Sequence, residues 1–228
     1  MPRPHLRLLA LLTALLTALL TACGGDAEQK NLPPPLPDGA GLLSDSADAM
    51  RKVTTIKIAI DVRGNPPGFQ VKTAEGQLTR EGSAKGRATV EMGDIVEVEF
   101  VILGDKLYLR GPTGGFRELP TSSAFLVYDP TVILNPDRGV AAVLDSGTAA
   151  TTEGREQLNG VDSYRVRATF PRQMLAKFVP GFNQDSTGQV WIATQGFELL
   201  QAQFPTKDGA ITFRFSDFNA PAYITAPN

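Results

Sequence analysis

Side chains able to do chemistry are scarce in this chain of 228 residues, which has one histidine, one cysteine and one tryptophan. The histidine, His5, and the cysteine, Cys23, both stand near the N-terminus, and from Gly24 onward there is neither. That absence excludes a Cys/His zinc site, a disulfide within the chain, a Ser–His–Asp triad and a Cys–His nucleophile pair from the remainder. Positive charge is not concentrated either. Lys and Arg number 22 against 24 Asp and Glu, for a formal net charge of −2. Without a Lys/Arg cluster to meet a phosphate backbone, nucleic acid is not an expected partner.

The first 22 residues, MPRPHLRLLALLTALLTALLTA, carry Arg3 and Arg7 ahead of a Leu- and Ala-rich run. The run is too short to cross a hydrocarbon core of about 30 Å and suits the apolar region of a signal peptide. It ends in Leu20-Thr21-Ala22-Cys23, followed by Gly24-Gly25. Small residues let the chain lie extended in a peptidase cleft, and the thiol offers an atom to alkylate. The segment resembles a bacterial lipobox, with Cys23 as the lipidated first residue of the mature protein. Two acyl chains on that sulfur would anchor it stably where one would be marginal. The expected location is the cell membrane, lipid-anchored, on its extracytoplasmic face. Residues 23–41, with Pro33-Pro34-Pro35 and no apolar period, read as the acylated cysteine and a Pro/Gly-rich tether. Residues 42–228 read as one domain.

That domain is rich in period-2 alternation. Ile56, Ile58, Ile60 and Val62 alternate with polar or small residues, as do Ala88, Val90, Met92 and then Val96, Val98, Phe100 and Ile102. Leu107 and Leu109, Tyr164 to Phe170, two runs within 189–204, and Ile211-Phe213-Phe215 repeat the pattern. Gly93-Asp94, Gly104-Asp105, Asn159-Gly160 and Asp208-Gly209 are hairpin connections. Helical periodicity is confined to 42–52, to the stretch opened by Asp129-Pro130 and split at Pro136, and to 171–182. The fold class predicted is α+β: a single curved antiparallel sheet, a half-barrel, with short helices on its concave face.

Five stretches in this order carry a family resemblance: GNPPGFQVKTAEGQLT (64–79), EVEFVILGDKLY (97–108), YDPTVILNPDRGVAAVL (128–144), EGREQLNGV (153–161), and VWIA (190–193) with LLQAQF (199–204). Together they resemble the LppX/LprA/LprF/LprG family of actinobacterial envelope lipoproteins. The resemblance implies a large apolar cavity between sheet and helices, similar to that of carriers that move lipoproteins between bacterial membranes. It also implies an acylated lipid or lipoglycan as ligand, carried toward the outer envelope, with no cofactor and no catalytic residue.

An apolar sheet face must be covered, and periodicity alone does not separate a filled core from a hollow one. The residues expected to line a cavity are Ile56, Ile58, Ile60, Val71, Leu78, Ala88, Val90, Met92, Val96, Val98, Phe100, Val132, Ile133, Val140, Val143 and Leu144. Phe178, Val179 and Phe182, around Pro180-Gly181, read either as the lip of an entrance or as ordinary helix-end packing. The partners are then the lipid ligand, the membrane through Cys23, and a membrane exporter as a candidate. The alternative is a non-enzymatic scaffold with a filled core. Glu91, Glu97 and Glu99 fall on the polar strand positions, so they read as a solvated face rather than a hydrolase pair. Gly111 to Gly115 lacks the Gly-Lys-Ser/Thr ending of a phosphate loop. Trp191 is expected in the core or at the cavity edge.

Overall fold

A computed structural model describes residues 34–66, 68–122, 132–178 and 182–227, with Met92 described by its backbone only. Eleven strands form one sheet: β1 (Thr55–Arg63), β2 (Val71–Thr79), β3 (Ala84–Met92), β4 (Asp94–Leu103), β5 (Lys106–Arg110), β6 (Arg117–Pro120), β7 (Thr148–Leu158), β8 (Val161–Phe170), β9 (Ser186–Ala193), β10 (Leu199–Thr206) and β11 (Gly209–Ser216). Among the described residues three helices accompany them: α1 (Gly39–Lys52), α2 (Val140–Asp145) and α3 (Arg172–Leu175). The strand order is β6-β5-β4-β3-β2-β1-β11-β10-β9-β8-β7, so two antiparallel meanders meet along the β1–β11 pair. The expected α+β half-barrel is the fold observed. Strands β2, β6 and β7, which carry no clean alternation, complete it.

The register sorts the side chains into two faces. Ile60 of β1 faces Ala74 and Phe213; Ala74 faces Ala88, and Ala88 faces Val98. Phe213 in turn leads through Ala202 and Val190 to Val166. This inner row is apolar from β4 to β8. In the next row Ile58 faces Gly76, which pairs with Gly86 opposite Phe100. A Cβ on Gly86 would lie 2.1 Å from the Glu75 carbonyl oxygen, so two backbones approach here more closely than any side chain permits. On the other face stand Lys57, Glu75, Arg87 and Glu97. There Arg87 pairs with Glu75 at 2.5 Å and Arg110 with Glu99 at 2.5 Å.

Helix α1 begins three residues before the apolar period does. Asp38 is its N-cap, accepting from the Gly41 amide at 2.8 Å, so residues 39–41 belong to the helix rather than the tether. Leu42, Leu43, Ala47 and Met50 bury one face. At the far end the Arg80 guanidinium donates to the carbonyls of Arg51 and Val53, satisfying terminal acceptors. Arg51 also pairs with Asp145 and so ties α1 to α2. The Asp145 hydrogen bond above all, with the charge of Asp145 and the contact to Asp48 adding to it, holds the guanidinium above its ordinary pKa against the opposing desolvation. Pro136 lies in a turn ahead of α2, and α3 is a single turn after the N-cap Pro171. Asp129-Pro130, which open the stretch that Pro136 divides, lie outside the described residues, and the part of it from residue 132 onward holds α2.

Loops gather at two ends. The β1–β2, β3–β4 and β10–β11 connections and α3 lie at one, the upper end. The β2–β3, β4–β5, β7–β8 and β9–β10 turns lie at the other, the lower end. Asn159 and Gly160 both take positive φ, 52° and 84°, as a two-residue hairpin with the twist of its strands requires.

Candidate functional site

Under α2 and α3 the inner face encloses a cavity of about 40 Å³ lined by fifteen residues, all apolar. Ile58 comes from β1, Phe213 and Phe215 from β11, and Leu199, Ala202 and Phe204 from β10. Val190 of β9 and Phe170 of β8 continue the wall. Val140, Val143 and Leu144 of α2, with Ile133 ahead of it, and Leu175, Phe178 and Phe182 of the α3 region form the cover. No lining side chain titrates or donates a hydrogen bond. Among the described residues no cluster of His, Cys, Asp and Glu could hold a metal ion.

Aromatic rings shape the upper part of this cavity. Phe204 stands edge-to-face with Phe170 at 5.6 Å between centroids and with Phe182 at 5.7 Å. The Phe204 ring fits because the neighbouring strand carries Gly188, where a Cβ would lie 2.6 Å from the ring. Phe182 also walls a second hollow, a cleft of about 530 Å³ at the upper end. That cleft lies between Asn65 and Pro66 of the β1–β2 loop, the 182–186 segment and the turn after β10, with Lys207 and Asp208 on its rim. One phenylalanine thus stands between an apolar interior and a polar-rimmed cleft.

Two further hollows on the outer face, of about 590 and 330 Å³, are framed by Lys57, Glu75, Arg87, Glu97 and Arg214. Their ion pairs suit water rather than hydrocarbon.

Of the expected lining, the structure brings Ile58, Ile133, Val140, Val143 and Leu144 to the cavity wall, and of the candidate entrance Phe178 and Phe182. Val179 lies outside the described residues, as do Cys23 and the Met92 side chain. Ile56, Ile60, Val71, Leu78, Val90 and Val132 are buried in the same apolar cluster but off that wall. Ala88, Val98 and Phe100 keep their inner-face positions yet remain half-buried, and Val96 is half-buried towards the upper end. The physical reason is where the cover sits: α2 and α3 lie over the β8–β11 half, not over β3 and β4. Eight wall residues are not among those the sequence marks: Phe170, Leu175, Val190, Leu199, Ala202, Phe204, Phe213 and Phe215. The strand residues among them carry the same alternation, and what alternation lacks is the order in which strands pair.

Trp191 meets the core expectation and not the cavity-edge one. It is buried, but on the outer side, between Arg165 and Gln201, with its indole N–H donating to Glu156 at 2.6 Å. Arg165 closes over this region through Glu153 at 3.2 Å and Glu156 at 3.0 Å.

The chain is 31% identical to the lipoarabinomannan carrier protein LprG of Mycolicibacterium smegmatis, over 99% of this chain and 98% of that one. It is likewise 31% identical to the protein of that name from Mycobacterium leprae, over 99% and 98%. The crystal structure of LprF from Mycobacterium bovis superposes with a TM-score of 0.76 at 22% identity, covering 85% of this chain and 98% of LprF. That of LppX from Mycobacterium tuberculosis gives 0.62 at 19%, covering 82% and 97%, and both likenesses establish the fold. A family model described as LppX_LprAFG lipoprotein matches residues 38–224, and with these relatives it places the chain in the LppX/LprA/LprF/LprG lipoprotein family.

Proposed function

We propose that this chain is a membrane-anchored envelope lipoprotein that binds the acyl chains of a lipid or lipoglycan on its inner face and helps carry it toward the outer envelope. The observation that carries the reading is a cavity walled by fifteen apolar residues and no polar one. The relatives named as lipoarabinomannan carriers support the ligand class. Cys23 is the anchor in this reading, Phe182 and Phe178 flank the entrance, and the polar-rimmed cleft receives the headgroup. A membrane exporter would be the partner at handover.

The cavity is far smaller than the roughly 300–1,000 Å³ of a formed ligand pocket. Acyl chains therefore require the cover to move off the sheet. The cover is suited to that: α2 has six residues and α3 four, so neither holds a long interface. Each buried methylene contributes about 0.8 kcal/mol, and two or three chains would stand in for the apolar packing that α2 and α3 give up on lifting. The half-buried Ala88, Val98 and Phe100 extend the apolar surface available to them. The small volume also favours a second reading, a scaffold lipoprotein whose core stays filled.

Native mass spectrometry separates the two. The chain purified from a lipid-rich actinobacterial host is expected to carry a discrete adduct of multiply acylated mass that organic extraction removes. A mass equal to the polypeptide alone, with no uptake of added lipid, would leave the scaffold.

A further inference from the structure

We infer that the ion pair between Arg51 of α1 and Asp145 of α2 is a latch that holds the cover over the apolar cavity and sets how readily a lipid enters. The inference rests on the proposed entry of acyl chains beneath that cover and adds what restrains it.

Residues 132–147 carry α2 and four residues of the cavity wall, Ile133, Val140, Val143 and Leu144. The polar bonds of this segment close on itself. The Gly139 amide donates to the Asn135 carbonyl at 2.7 Å and the Val140 amide to that of Ile133 at 3.0 Å. The Asn135 side chain accepts from the Asp137 and Arg138 amides. Among the described residues, the one polar bond that leaves the segment is the one Arg51 donates to Asp145. The rest of its hold on the described residues is apolar packing, which acyl chains can replace; they cannot replace an ion pair.

The two ends of the pair differ in how they are held. Asp145 is the last residue of α2, directly after Val143 and Leu144, and the carbonyl end of a helix is the unfavourable place for a carboxylate. That last turn has no basic residue, so the carboxylate is met from the other helix. Arg51 stands on the fixed side: its own carbonyl accepts from Arg80 of the β2–β3 turn, which fastens α1 to the sheet. Its guanidinium also donates to Asp48, one turn back, at 2.7 Å. When Asp145 leaves with α2, the cation therefore keeps a partner, and the latch opens without stranding it. With 37% and 39% of their side chains exposed, Arg51 and Asp145 suit a bond that breaks in use. A pair of this exposure shifts an opening equilibrium by roughly two- to five-fold.

The test follows uptake by the full chain of a diacyl phosphatidylcholine bearing pyrene on one acyl chain, donated by vesicles and read by stopped-flow fluorescence. Asp145→Asn and Arg51→Gln are each expected to take up lipid roughly two- to five-fold faster than the unaltered chain. The double variant is expected to be no faster than either, because the same pair is lost only once. Asp48→Asn leaves the latch in place and is expected at the unaltered rate. An unaltered or slower rate in Asp145→Asn or in a folded Arg51→Gln, additive gains in the double variant, or an equal gain in Asp48→Asn overturns the inference. Circular dichroism reports the fold of each variant. If Arg51→Gln does not fold, Asp145→Asn, which relieves the end of α2, decides against Asp48→Asn alone. An unaltered chain that takes up no lipid refutes the proposed function and the latch with it; uptake without these differences refutes the latch only.

Discussion

Gly188 and Phe204 decide the shape of the apolar interior more than any polar group does. The ring of Phe204 occupies space that only a residue without a Cβ leaves free, and it supports the edge-to-face contacts to Phe170 and Phe182. Gly188→Ala should therefore push Phe204 off its position and cost about 1–3 kcal/mol. For a domain of this size that corresponds to a fall in melting temperature of roughly 2–10 °C. Thermal unfolding followed by circular dichroism checks it, and an unchanged transition would mean the ring has room to spare. At this scale the sequence is only half legible. Ile58, Val140, Val143 and Leu144 are visible as apolar positions in periodic runs, and they do line the cavity. Ala88 and Phe100 are equally visible but lie where α2 and α3 do not reach, because alternation reports which face a residue takes and not what covers that face.

Elements show a different division. Strands such as β1 and β4 are legible because one face is buried and the other wet, and a period of two is the direct trace of that asymmetry. Strand β7, TAATTEGREQL, shows no such trace. It is an edge strand with register shifts and little burial, so nothing in its side chains demands alternation. Strand β2 is obscured by Gly76, whose missing side chain serves the close approach to Gly86. The start of α1 is hidden because Gly39 to Gly41 looks like linker, while Asp38 supplies the cap that makes it helix. The other end of α1 carries a testable device. Arg80, from the β2–β3 turn, donates to the Arg51 and Val53 carbonyls and so fastens the helix to the lower end. Arg80→Ala removes charge-assisted bonds at a partly buried site and should cost about 1–3 kcal/mol. Urea denaturation should show a lower midpoint with an unchanged slope; a midpoint equal to that of the unaltered chain would show that solvent replaces the guanidinium at no cost.

For the whole molecule, the asymmetry between its two halves carries the functional argument. From β8 to β1 the inner face is sealed under α2 and α3 around a narrow apolar void. From β2 to β5 the same face buries Val71, Leu78, Ala84, Val90, Ile102 and Leu107 but holds Ala74, Ala88, Val98, Phe100 and Leu109 only half-buried. The molecule is a sheet with two short helices, α2 and α3, over part of its apolar side. The family shares that fold in LprF and LppX at low sequence identity. The central claim is that acyl chains enter between this cover and the β8–β11 half. It is tested most directly with a diacyl lipid bearing a photoreactive group at the end of one chain, irradiated with the protein and mapped by peptide mass spectrometry. The account predicts label on inner-face residues such as Phe204, Phe213 and Val143. Label confined to the outer face around Trp191 and Arg165, or no label at all, would contradict it.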